Sequence, residues 1–181
     1  VAVALAAQAI LGDLFSYFSI MLDKPFEIGD FVIIGDFMGA IEHVGLKTTR
    51  IRSLSGEQVI FSNTDLTSSR VRNYKRMTQR RVVFKLGLVY ETPVEKLSQA
   101  VQIIREAVEH QNLVRFDRAH FFSFGSFSLA FEVVYYVLDG DYNVYMNIQQ
   151  AINLEIMSRF QAEGLEFAYP TQVVHLPGMK A

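Results

Sequence analysis

The chain has 181 residues, 50% of them hydrophobic, with 15 Phe, 8 Tyr and no Trp, enough apolar material for one or two small cores. A formal charge of −2 argues against general electrostatic affinity for nucleic acid. The absence of cysteine excludes disulfides, thiolate catalysis and cysteine metal sites, and is compatible with a cytoplasmic setting.

The first segment, Val1 to Leu22, is Ala-rich, and its one charged side chain is Asp13. Two readings stay open. Small side chains let helix backbones approach closely, as membrane bundles require, and a spanning helix needs about 20 mainly apolar residues. Gln8, Gly12 and Asp13 interrupt the run, which suits a buried amphipathic core helix instead. The chain does not begin with Met, so it reads as a fragment.

Past Pro25 the pattern becomes β-rich. Strands are expected at 30–34, 39–44, 48–52 and 58–61, with turns at Gly35-Asp36 and Ser55-Gly56. Asn63 is expected to cap a short helix over 64–68, and 71–74 to return to extended chain. Strands this short and closely spaced suggest a small barrel.

From residue 80 the rhythm changes again. A strand at 81–90 leads to Thr92-Pro93-Val94-Glu95, which has the form of a capping box with Pro at the first helical position. The helix it opens carries Val94, Leu97, Val101, Ile104 and Val108 on one face. Two β stretches follow, at 119–124 and 128–138. Asp141 then caps a second helix, bearing Val144, Ile148, Ala151, Ile152 and Phe160 and stopped by Gly164. Val101, Ile104, Ile148 and Ile152 are expected to be buried between helices and sheet. With a last strand at Thr171–Leu176 the order is β-α-β-β-α-β, the ferredoxin-like split motif. That fold hosts many functions and by itself names none.

Catalytic signals are lacking. His43, His110, His120 and His175 fall in no short metal-ligand spacing, Gly35 and Gly39 lack the Gly-Lys-Ser/Thr of a phosphate loop, and Ser55-Gly56 is a hairpin turn. No enzyme activity, cofactor or metal is expected. One charge cluster stands out: Arg70, Arg72, Lys75, Arg76, Arg80 and Arg81 share a stretch without an acid. It reads either as an anion-attracting surface or as a solvated inter-domain linker. The aromatic platform for stacking single-stranded nucleic acid is thin, with only Tyr74 inside it.

Taken in order, several pieces resemble the bacterial mechanosensitive channel of small conductance. They are Ala6-Ala-Gln8, Pro25-Phe-Glu-Ile-Gly-Asp-Phe-Val32, Gly39-Ala-Ile-Glu-His-Val-Gly-Leu-Lys-Thr48, Arg52-Ser-Leu-Ser-Gly56, Val59-Ile-Phe-Ser-Asn63 and Gly164-Leu-Glu-Phe-Ala-Tyr-Pro170. The resemblance implies an α+β chain in three parts: a pore-lining transmembrane helix at 1–23, a small Sm-like β domain at 24–74 and a ferredoxin-like α/β domain at 75–176, with a tail at 177–181. It implies a homo-oligomer, a heptamer, in the bacterial inner membrane, with the domains from residue 24 onward cytoplasmic. Tension in the lipid bilayer would open the pore to ions and small osmolytes on hypo-osmotic shock.

By the same resemblance Val1 and Leu5 form the closed-pore seal, and Ala2, Ala6 and Ala9 the contact with the next helix. Asp13 and Gly56 couple the helix to the β domain, and the cluster from Arg70 to Arg81 lies on the vestibule wall without binding nucleic acid. Departures from the family pattern fall at Ser62, where Pro is common, and at Ala9 and Tyr17, where the pore helix carries glycines. The competing readings are an RNA-binding module on the same folds and a soluble oligomeric scaffold.

Overall fold

The computed structural model describes residues 2–171, and for residues up to 10 only Gln8 of the side chains. The chain divides into two compact units between Met77 and Thr78.

In the first unit, helix α1 (Ala2–Asp23) leads into strands β1 (Phe31–Ile34), β2 (Phe37–Val44), β3 (Thr48–Ser53) and β4 (Gln58–Ser62), then helix α2 (Asn63–Ser68) and strand β5 (Val71–Asn73). The strands form one five-stranded sheet in the order β4-β3-β2-β1-β5. Every pairing is antiparallel. The alternation read from the sequence buries Val32, Ile34, Ile41 and Ile51 on one face, together with Ile20, Phe26, Phe61 and Leu66. The expected barrel is an open sheet: among the described residues no ladder joins β4 to β5.

The cap of α2 differs from expectation. Ser62 Oγ accepts from the Asp65 amide. Asn63, one residue later, turns inward instead, and is fully buried. Its side chain accepts from Thr49 Oγ1 at 2.9 Å and donates to the Gly45 carbonyl at 2.8 Å. A buried amide must satisfy its own polar atoms first, so the cap passes to the neighbouring hydroxyl.

The second unit holds β6 (Arg80–Leu88), α3 (Val94–Glu109), β7 (Val114–Phe124), β8 (Leu129–Val137) and α4 (Tyr142–Glu163). Its sheet runs β6-β8-β7, antiparallel throughout, and an isolated bridge pairs Leu88 with Phe167. This is the β-α-β-β-α part of the ferredoxin-like order. The expected final strand, 171–176, lies outside the described residues beyond Thr171, which is not in a strand.

Ile104, Val108, Ile152, Ile156 and Phe160 are buried with Phe131, Val133 and Tyr135 of the central strand, while Val101 and Ile148 are half-buried at the margin. Asp141 caps α4 through the amides of Asn143 and Val144, and Gly164 closes it in the left-handed conformation that favours glycine. Two expectations are corrected. The capping box at α3 does not form: Pro93 occupies the cap, and the Thr92 hydroxyl donates to the Val89 carbonyl at 2.8 Å. Val94, at the first position of α3, is 74% exposed.

Candidate functional site

The residues with the most to explain lie where α1 meets the β unit. From Gly12 onward α1 presents Asp13, Ser16 and Ile20, at helical spacing, to α2. Asp13 is buried, 7% exposed, and its Oδ1 accepts from the Thr64 amide at 3.1 Å. Ser16 Oγ lies 2.9 Å from Thr67 Oγ1 and donates to Thr64 Oγ1 at 3.5 Å. Ile20 closes the seam in the apolar core beside Leu66. Asp13 and Ser62 thus satisfy two of the amides left open at the start of α2. A short helix with few internal bonds gains most of its stability from such outside partners.

This seam bears on two expectations. Among the described residues no helix is long and apolar enough to cross a membrane. In the second half of the helix, Asp13 and Ser16 dock on α2. Within the chain, Asp13 meets Thr64 and not Gly56. The Gly56 turn is closed on itself: its amide donates to the Ser53 carbonyl, and its carbonyl accepts from Arg52 Nη1 at 2.9 Å. Arg52 in turn grips both carboxylate oxygens of Glu42, at 2.7 and 3.0 Å.

Val1 lies outside the described residues. Ala2, Leu5, Ala6 and Ala9 lie in α1, with side chains outside the described set. The basic cluster divides between the units. Arg70 and Arg72 are exposed in the first unit and Arg81 in the second. Arg76 donates to the Lys24 carbonyl, and Lys75 Nζ lies 3.5 Å from Asp30 Oδ1. Arg80 stacks over Tyr142 and Tyr145, at 5.6 and 5.3 Å to the ring centres.

Sequence reasoning passed over Asp30, which is 4% exposed. Its Oδ2 accepts from the Glu27 amide at 3.0 Å and from Asn73 Nδ2 at 2.7 Å. Burial pushes its carboxyl up, but Asn73, the Glu27 amide and Lys75 together outweigh burial and hold it below the usual aspartate value. The signal that could have found it is an acid directly before a strand that is otherwise apolar.

The unfolded chain therefore binds this proton more tightly than the folded one. The stability Asp30 contributes is fully present above the ordinary aspartate pKa of about 3.9 and is lost as pH falls through the lower folded value. Urea midpoints of the wild type and Asp30→Asn are expected to differ at pH 7 and to converge on acidification. Parallel pH profiles for the two proteins would refute the assignment.

Among the described residues no group of three His, Asp or Glu side chains could hold a metal ion. A cleft of about 410 Å³ beside α4 is lined mainly by Phe84, Leu86, Ile156, Met157 and Phe167, with Lys85 and Asn153 its polar members. What the first unit offers chemically is attachment: α1 is fixed to α2 by hydrogen bonds that a displaced helix would have to break.

Two family models match the chain in sequence order. The description "Mechanosensitive ion channel, beta-domain" covers residues 9–76, and "Mechanosensitive ion channel MscS, C-terminal" covers 82–167. The small-conductance mechanosensitive channel MscMJ of Methanocaldococcus jannaschii is 37% identical over 97% of this chain and 50% of its own length. The chain thus spans about half the length of the curated relatives it matches.

Among solved structures, that of Helicobacter pylori MscS in the closed state superposes with a TM-score of 0.77 at 21% identity, covering 98% of this chain and 70% of that one. Arabidopsis thaliana MSL1 gives 0.79 at 22% identity, covering 93% and 62%. At that identity the likeness speaks for the fold. The chain belongs to the small-conductance mechanosensitive channel family.

Proposed function

We propose that this chain is part of a tension-gated channel that releases ions and small osmolytes on hypo-osmotic shock. The observation that carries the reading is the match of two channel-domain models, in order, over residues 9–76 and 82–167. The seam of Asp13 and Ser16 on α2 supports it, since a channel must transmit displacement of a helix to its soluble domain. In this reading the chain works as a homo-oligomer, a heptamer, in the inner membrane of a bacterium. Residues 24–74 serve as the Sm-like β domain and 75–176 as the ferredoxin-like domain, both cytoplasmic, with no catalytic role and no nucleic-acid partner.

Val1 and Leu5, one helical turn apart, form the apolar throat, which blocks ions by shedding water. Ala2, Ala6 and Ala9 allow close approach of the next helix. Tension favours the state of larger membrane area and shifts an existing closed–open equilibrium. Of the basic cluster, Arg70, Arg72 and Arg81 remain to bias permeating anions, because Lys75, Arg76 and Arg80 have partners within their own units.

Patch-clamp recording of the parent protein in bacterial membranes lacking their own tension-gated channels tests the reading. Currents evoked by membrane tension, and a leak in Leu5→Ser, are expected. A parent protein that assembles in the membrane yet stays silent up to the tension at which the patch ruptures would overturn it.

A further inference from the structure

The chain enters the β unit at Lys24 and leaves it at Met77, and the two ends lie side by side. The sheet order β4-β3-β2-β1-β5 makes the first and last strands neighbours, through the pairs Val32–Asn73, Ile33–Arg72 and Ile34–Val71. Strands β2, β3 and β4 hang from the other edge of β1, outside the line from one end to the other.

A set of side chains reinforces this short ladder. Asp30 Oδ2 accepts from Asn73 Nδ2 at 2.7 Å and from the Glu27 amide at 3.0 Å. Asn73 Nδ2 also donates to the Pro25 carbonyl at 3.2 Å, while its Oδ1 accepts from the Lys75 amide at 3.1 Å. Lys75 Nζ faces Asp30 Oδ1 at 3.5 Å, and Arg76 donates to the carbonyl of Lys24. The Tyr74 amide donates to the Phe31 carbonyl at 2.9 Å, and the two rings meet edge to face. Lys24 itself has a φ of 47°, a left-handed conformation that costs a non-glycine residue energy and persists only where its surroundings hold it.

We propose that Asp30 and Asn73 form a load-bearing clasp, so that a pull on the end of α1 passes straight to the segment leading to the second unit and bypasses β2, β3 and β4. Asp30 is then a positioning residue, acting through Asn73. For a channel, the consequence is that helix displacement reaches the next domain while most of the sheet stays unloaded. That purpose rests on the channel reading. The clasp does not, and its test measures the chain alone.

The chain has no cysteine, so handles can be placed at will. Single-molecule pulling between Asp23→Cys and Thr78→Cys is expected to show a distinct first rupture, the opening of the clasp, before the sheet unravels. Asp30→Ala removes the oxygen that accepts from Asn73 and from the Glu27 amide and should abolish that event. Asn73→Ser, too short to reach Asp30, should do the same and covers the case in which the first variant folds poorly. Pulling between Asp36→Cys and Glu57→Cys loads the turns at the far side of the sheet, and its rupture force should be unchanged by either variant.

An unchanged first rupture in the 23–78 geometry would overturn the proposal. An equal loss in both geometries would overturn it too, since that would make Asp30 a general stabiliser. A silent parent channel with an intact clasp would refute the channel reading and leave the clasp standing.

Discussion

Gly39→Ala is expected to destabilise the β unit strongly, although it adds one methyl group. A Cβ at this position would lie 2.1 Å from the Arg52 carbonyl oxygen and 2.7 Å from its carbon, with Ile51 Cγ2 at 3.0 Å. The obstacle is backbone, so no side-chain rotation relieves it. Strands β2 and β3 pair through Gly39–Ser53 and Ala40–Arg52, and the clash would push them apart there. Releasing that end also frees the grip of Arg52 on Glu42 and on the Gly56 carbonyl.

The cost should reach about 3 kcal/mol, the upper end for overpacking, against a total domain stability of roughly 5–15 kcal/mol. Gly56→Ala is the matched comparison. Its φ of +98° strains an alanine, but nothing lies within 4 Å of the added carbon, so a cost of about 1 kcal/mol is expected. Urea unfolding followed by circular dichroism should rank the two variants in that order. Equal midpoints would show that the strands separate here at little cost.

Phe131→Ala should destabilise the second unit by about 3–5 kcal/mol, the range for deleting a fully buried aromatic ring. Phe131 is 0% exposed and lies in the central strand β8, between Leu86 of β6 and Phe121 of β7. Its ring packs on Phe121 at 5.6 Å. With neighbours on both flanks and helices above, the cavity has no side from which to collapse. Tyr135→Phe, on the same strand, removes only the hydroxyl that donates to Gln149 Oε1 at 2.9 Å, and should cost about 0.5–1.5 kcal/mol. Because the chain folds as two units, the transition of residues 78 onward should move while that of the β unit stays in place. A shift of both transitions together would show that the units unfold as one.

Much of the architecture was legible in the chain itself, because its signals are local. Alternation over residues 30–62 marks strands whose inward residues are Val32, Ile34, Ile41, Ile51 and Phe61. Helical spacing marks Ile104 and Val108 on α3, and Ile152 and Phe160 on α4. Asp141 and Gly164 bound α4 through hydrogen bonds that reach two to four residues along the chain, so the residue types there suffice to fix the ends. The family, too, was legible, since motif order and spacing are properties of sequence.

The contacts that carry the site were not legible, for a physical reason. Asp13 and Thr64 are separated by 51 residues and Asp30 and Asn73 by 43, and both contacts depend on which strands and helices come together. Asp13 reads as a partner for Gly56; within the chain it meets Thr64, while the Gly56 amide and carbonyl serve their own turn. Asn63 looked like a cap until burial claimed its amide for Thr49 and Gly45. Lys75 and Arg76 looked like free surface charge until the pairing of β1 with β5 set them against Asp30 and Lys24. Sequence determined the elements and their buried faces, because those follow from hydrogen bonds and periodicities only a few residues long. Tertiary structure decided the partner of each polar side chain, because that depends on distances that exist only once the strands have paired.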